Sequence, residues 1–175
     1  MGADIVSFEG KSFETFTERT IREYLNNGGR TGFVGGSDTH EGHPAARTAV
    51  LARTLGRAAL FEALRSRRTY AVSHARIGLD FRINGHYMGE EIEVAGVPRL
   101  FVRVDGTDRL ALVEIIRDGA VLREFKPGTK SVRLELVDRS PGSASYYYVR
   151  VTQVDADPQG NSSRAWSSPI WVRRK

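Results

Sequence analysis

Hydrophobic and polar positions alternate along much of the C-terminal hundred residues. Leu100, Val102 and Val104 alternate with Arg103 and Asp105, the period-two pattern of a strand with one buried face. The pattern recurs at Val132, Leu134 and Leu136 against Arg133 and Glu135, and at Tyr147, Val149 and Val151 against Tyr148, Arg150 and Thr152. Asp118-Gly119 separates Val113-Glu114-Ile115-Ile116 from Val121-Leu122 and predicts a type I′ hairpin. Adding 77–83, 91–94 and 168–172 brings the tally to about seven short strands, which predicts an all-β, immunoglobulin-like sandwich.

The first 75 residues are patterned differently. Ile5-Val6-Ser7-Phe8 is a short apolar run ending at Gly10, as in a buried strand. Ser12 is placed to cap a helix carrying Phe16, Thr20, Tyr24 and Leu25, which Asn26-Asn27-Gly28-Gly29 would stop. Thr31–Gly36 follows as a glycine-rich strand running into Ser37-Asp38-Thr39-His40, then an irregular loop through Gly42-His43-Pro44. A second helix is predicted from Arg57 to Arg68, with Leu60, Phe61 and Leu64 on one face. Alternation of strand and helix predicts an α/β layer over 1–75, joined near Ser73–Arg76 to a sandwich over 76–175. Two such units can neither close a barrel nor cover a parallel sheet, so either the first 75 residues pack onto the sandwich or the α/β layer lacks its front, and the second is the favoured expectation.

Composition narrows the chemistry. No apolar run approaches the roughly 18 residues that span a bilayer, and no basic n-region marks a signal peptide, so no membrane is implied and the cytoplasm is the default compartment. The net charge of +5 is spread out: residues 1–75 hold 10 basic and 8 acidic side chains, and 76–175 hold 16 and 13. With no basic stripe, no nucleic-acid partner is expected. The absence of cysteine confines any metal site to His, Asp and Glu, favouring hard or borderline divalent ions.

Asp38-Thr39-His40 is the informative constellation. Residues i and i+2 of an extended segment point to the same side, so a carboxylate and an imidazole can converge on one ion. Gly35 and Gly36 leave room there for a substrate or a second chain segment. A catalytic zinc needs roughly three protein ligands, and the other histidines are His43, His74 and His86. His43 shares the loop; His74 and His86 are expected at the surface, at the domain junction and a hairpin. Gly35-Gly36-Ser37 lacks the lysine and spacing of a phosphate loop and reads as a tight turn. Tyr146, Tyr148, Trp166 and Trp171 could form a carbohydrate-stacking platform, but core plus sheet surface is the favoured assignment, with Tyr147 inward and Tyr146 and Tyr148 outward.

The order of several motifs resembles a known family. Gly32-Phe33-Val34-Gly35-Gly36-Ser37-Asp38-Thr39-His40, then Arg47-Thr48-Ala49-Val50, then Ala59–Ala71 is similar to the closing segment of metallohydrolases of the polymerase-and-histidinol-phosphatase superfamily (PHP-type). The likeness continues through Arg76–Gly85 with Met88-Gly89, Tyr146–Thr152 and Ala165–Val172, in the order of a bacterial subgroup with a C-terminal sandwich, related to aryl-carbamate hydrolases. The resemblance implies the end of a distorted (β/α)7 barrel followed by an immunoglobulin-like sandwich. It also implies that Asp38 and His40 complete a metal cluster. The superfamily's early His-x-His pair and middle ligands have no counterpart here, and Ser73-His74 stands where relatives tend to have Thr-Gly. The implied function is hydrolysis of a small-molecule phosphoester, ester or carbamate by water activated on a divalent ion (Zn, Mn or Fe), with an N-terminal barrel segment supplying what this chain lacks. The isolated chain is then expected to be inactive. The alternative is a non-catalytic sandwich that binds a glycan or protein partner, with the α/β layer as a docking element.

Overall fold

A computed structural model describes residues 13–36, 46–157 and 160–175, with side chains of the first helix from Thr20 onward. The strand expected at residues 5–8 and the Ser12 cap lie outside the described residues. Two helices, α1 (Phe13–Asn26) and α2 (Arg57–Arg65), accompany two β-sheets. One sheet has the order β1 (Ala46–Val50), β2 (Thr69–Ser73), β11 (Ser162–Ser167), β10 (Ala144–Ala156), β12 (Ile170–Arg174), β5 (Glu91–Val94). On the opposite edge of β10 lies β7 (Leu110–Arg117), followed by β8 (Ala120–Phe125). The second sheet is β4 (His86–Tyr87), β3 (Gly78–Ile83), β6 (Arg99–Asp105), β9 (Ser131–Val137). Every pairing is antiparallel except β12 with β5.

Strand β10 organises the larger sheet because it is long enough to serve two neighbours on one edge. Residues 144–147 pair with β12 and residues 150–156 with β11, while β7 follows its other edge from Tyr147 to Gln153. The alternation that marks these strands fills a shared core between the sheets. Phe81, Val102, Val104, Val113, Ile115, Tyr147, Val149 and Val151 are fully buried in it, the expected outcome of one apolar face per strand. The β7–β8 turn is the type I′ hairpin that Asp-Gly predicts, with φ of 51° at Asp118 and 77° at Gly119.

The barrel end expected ahead of an immunoglobulin-like sandwich is not what forms; this corrects the α/β reading. Strands β1 and β2 run antiparallel, from Ala46↔Ser73 to Val50↔Thr69, and β2 continues the larger sheet by pairing with β11 at Ala165↔Val72. Residues read as the close of an α/β layer are therefore built into an antiparallel sheet. The junction near 73–76 falls between β2, in one sheet, and β3, in the other. Thr31–Gly36 is not a strand, because side chains replace its ladder. Phe33 N–H donates to Ser168 Oγ (2.7 Å) and Phe33 O accepts from Thr69 Oγ1 (2.8 Å).

Helix α2 stops at Arg65 because Arg67 adopts a left-handed φ of 57°. Arg67 N–H bonds to Leu64 O and Arg68 N–H to Ala63 O, the paired bonds of a Schellman close. The Arg67 side chain holds that unfavourable backbone by donating to Gly89 O (2.9 Å) and Glu91 Oε1 (3.0 Å). The apolar face predicted for this helix is not buried: Phe61 is 63% exposed, Leu64 47%, and Leu55 just before the helix 96%.

A second, smaller core covers the outer face of the larger sheet. Leu25 of α1 and Phe33 pack there on Ala71, Ile116, Tyr146, Tyr148, Trp166 and Trp171. Phe33 meets Tyr148 edge-on at 5.5 Å between ring centroids, a favoured aromatic geometry. Tyr146 donates its hydroxyl to Asn26 Oδ1 (2.7 Å). Burial, aided by Asp118 and opposed by Arg22, pushes the Tyr146 phenol up to about 12. The guanidinium groups of Arg30 and Arg67 lie 5.3 and 5.1 Å from the Trp171 ring centre, close enough for cation–π attraction.

Candidate functional site

The proposed ligands Asp38 and His40, with His43, lie outside the described residues, so the site is defined by its two flanks. On the N-terminal side, Gly35 N–H donates to Thr48 Oγ1 and Thr48 Oγ1 donates back to Gly35 O, both at 3.0 Å. A side chain at Gly35 would meet Arg47 O at 2.5 Å, so the glycine lets a second chain segment pass close by. On the C-terminal side, Ala46 opens β1. The flanks of 37–45 are thus held together on the terminal strand of the sheet. Thr48→Val removes both bonds, each worth about 1 kcal/mol. Amides 33–36 are expected to exchange with solvent roughly tenfold faster or more in that variant. Unchanged exchange in a mass-spectrometric comparison would show that the tether is not Thr48.

His74 belongs to the same corner. It follows Ser73, whose partner in the ladder is Ala46, and has a φ of 49°. Its Nε2 lies 2.7 Å from Asp157 Oδ2, a carboxylate only 3% exposed. Asp157 also accepts from the Asn161 backbone N–H (2.7 Å) and Nδ2 (2.9 Å), and Arg47 Nη1 donates to His74 O (2.6 Å). The His74 side chain, expected at the surface near the domain junction, is 27% exposed and is oriented by a buried acid. No local spacing could have linked His74 to Asp157, since β2 and the β10–β11 connection meet only through the sheet. His86 sits apart on the β3–β4 hairpin, exposed, with Nδ1 2.9 Å from Glu90 Oε2.

Among the described residues no group of three or more His, Asp or Glu is arranged to hold a metal. A metal centre in this chain would therefore have to draw on residues outside the described ones. A cleft of about 560 Å³ between α1 and the β12–β5 edge is lined by Arg30, Glu91, Asp118, Ser145 and Trp171. Within it, Glu91 engages Arg30 and Arg67 at 3.5 and 3.0 Å, and Asp118 accepts from Ser145 Oγ (2.8 Å) and Tyr146 N–H (2.9 Å). Tyr146, Tyr148, Trp166 and Trp171 are at most 5% exposed and offer no open stacking platform. No helix of the described residues is long and apolar enough to cross a membrane.

No family model matches the chain. It is 34% identical to an uncharacterised protein of Chlamydia pneumoniae over 183 residues, covering 87% of this chain and 28% of that protein. Uncharacterised proteins of Chlamydia trachomatis and Chlamydia muridarum are each 33% identical over 186 residues, covering 89% of this chain and 29% of theirs. The chain thus spans 28–29% of the length of these curated relatives.

Proposed function

We propose that this chain is part of a longer metal-dependent hydrolase in which Asp38 and His40 bind one divalent ion, zinc, manganese or iron. The hydrolase part of this reading rests on the Asp38-Thr39-His40 motif; the apolar surface of α2 supports its other part, a further protein layer over this corner. Leu55, Phe61 and Leu64 are exposed directly after β1, the strand whose Thr48 binds Gly35. Leaving a large apolar side chain fully in water costs about 1.5–3 kcal/mol relative to burial, nearly all of it for Leu55 and about half for Phe61 and Leu64, which favours a further protein layer over this corner. The greater length of the relatives supports the same view. Two ligands fall short of the roughly three that a catalytic zinc requires, so other parts of the longer protein supply the rest.

When bound, such an ion lowers the pKa of its water and polarises the substrate's oxygen. The chain's own contribution is positional. Thr48 holds Gly35 on one flank of residues 37–45, Ala46 opens β1 on the other, and the Asp157-oriented His74 follows Ser73, the ladder partner of Ala46. The substrate class consistent with this chemistry is a small phosphoester, ester or carbamate. The alternative is a non-catalytic module that binds a glycan or a protein partner; Tyr146, Tyr148, Trp166 and Trp171 are buried, so a glycan would have to be held by other residues.

Hydrolysis of a chromogenic phosphodiester or aryl ester by the longer protein is the test. Activity is expected to require added metal and to fall at least ~100-fold on Asp38→Ala. Undiminished, metal-independent hydrolysis by Asp38→Ala would remove the assignment.

A further inference from the structure

Strand β9 is the terminal strand of the smaller sheet. One edge pairs with β6, and no described strand pairs with the other. The consequence shows in its apolar face. Leu100, Val102 and Val104 of β6 are at most 2% exposed, while Val132, Leu134 and Leu136 of β9 are only partly buried. Leu122 and Phe125 of β8, the edge strand of the other sheet, are likewise partly buried against the same core. An unpaired edge with unfinished apolar burial is a template for strand addition.

Charges on an edge strand ordinarily discourage pairing. Here their order is self-complementary. In Ser131-Val132-Arg133-Leu134-Glu135-Leu136-Val137, a two-fold axis through Leu134 sets Arg133 opposite Glu135 of the second copy, and Glu135 opposite its Arg133. The same axis sets Val132 opposite Leu136, twice, and Leu134 opposite itself. The outer face thereby gains two opposite-charge pairs and the inner face three apolar ones, each a favourable cross-strand match. The existing sheet adds a reason for the acid to be welcome: Arg133 already lies opposite Arg103 on β6, and its own Glu135 (2.7 Å) is a solvent-exposed neighbour.

We propose that β9 pairs antiparallel with β9 of a second copy of this chain, centred on Leu134, joining two four-stranded sheets into one across a two-fold axis. Such a contact is isologous and closes on itself. A single strand pair buries less than a standard interface of about 1,600 Å², so the dimer is weak and depends on concentration.

Sedimentation equilibrium of the 175-residue chain, up to about 0.5 mM because the contact is small, is the experiment. Wild type is expected to show a reversible monomer–dimer equilibrium. Arg133→Glu leaves only acids across the seam, and Glu135→Arg only bases. Each is expected to raise the dimer Kd by roughly 10- to 100-fold. An equimolar mixture of the two variants is expected to restore dimers, now as heterodimers with every charge matched. The monomers stay folded: Arg133→Glu replaces the Arg103–Arg133 juxtaposition by an attractive one, and circular dichroism melts confirm the fold. A wild type that stays monomeric throughout would overturn the proposal. So would a dimer insensitive to either variant, or a mixture that fails to associate.

Discussion

Replacing Asp138 by alanine is expected to lower unfolding free energy by about 3–5 kcal/mol, the cost of breaking a buried charged pair from one side. Asp138 is 5% exposed and binds three partners. Arg117 Nη1 donates at 2.6 Å, the Tyr147 hydroxyl at 2.9 Å, and Ser140 N–H at 3.0 Å. Without the carboxylate, the hydroxyl of the fully buried Tyr147 is left without that acceptor, which adds its desolvation penalty. The loss is a large share of the 5–15 kcal/mol typical of a domain. Asp138→Asn keeps an acceptor and is expected to cost less.

The same network sets a pH dependence. Burial alone would raise the Asp138 carboxyl, but the bonds from Ser140, Arg117 and Tyr147 outweigh it and hold the group below its ordinary value. A depressed folded-state pKa contributes stability that is fully present above the unfolded pKa, about 3.9. That contribution is lost as pH falls through the folded value. Below about pH 4, wild type should therefore lose stability faster than Asp138→Asn. Urea titrations at several pH values check this, and parallel decline of the two proteins would contradict the network's role.

The second large effect concerns the outer core. Trp171→Ala is expected to cost about 3–5 kcal/mol, and Trp171→Phe only about 1–2 kcal/mol. The difference is specific. Trp171 is 5% exposed, and its Nε1 has no hydrogen-bond partner among the described residues. Phenylalanine therefore forfeits area and some stacking with Arg30 and Arg67, but no hydrogen bond. An alanine variant within about 1 kcal/mol of wild type would mean that α1 and Phe33 do not form a packed layer on this sheet.

How much of this was legible depended on whether burial was one-sided. β6 and β9 announce themselves through alternation because mostly polar residues lie on their other face; β10 alternates in sequence too, although Tyr146 and Tyr148 on its other face are buried in the outer core. β2 does not: four of the five residues of Thr69–Ser73 are buried, so no polar face marks the strand. β11 is hidden for the opposite reason. Its Ser163 and Ser167 look solvent-facing in sequence but are fully buried, made tolerable by hydrogen bonds. Ser163 Oγ donates to Asp155 Oδ2 (2.8 Å), and Ser167 Oγ accepts Val149 N–H (2.9 Å).

Helical spacing identified the apolar residues of α2, but periodicity cannot say whether the covering partner lies within the chain. Phe61 and Leu64 remain exposed, so an amphipathic helix misled the reading towards an α/β layer. At the candidate site the Asp-x-His spacing was visible at once. The His74–Asp157 pair was not, because it exists only once β1 and β2 are paired and β11 is laid beside them.

Calorimetric titration of the 175-residue chain with Zn²⁺ tests the assignment of Asp38 and His40 most directly, because it needs neither substrate nor the rest of a longer protein. With two ligands and water completing the shell, binding is expected to be weak, with a Kd on the order of 10⁻⁴ M, and to disappear in both Asp38→Ala and His40→Ala. Binding of undiminished strength in either variant, or none in wild type, would contradict it.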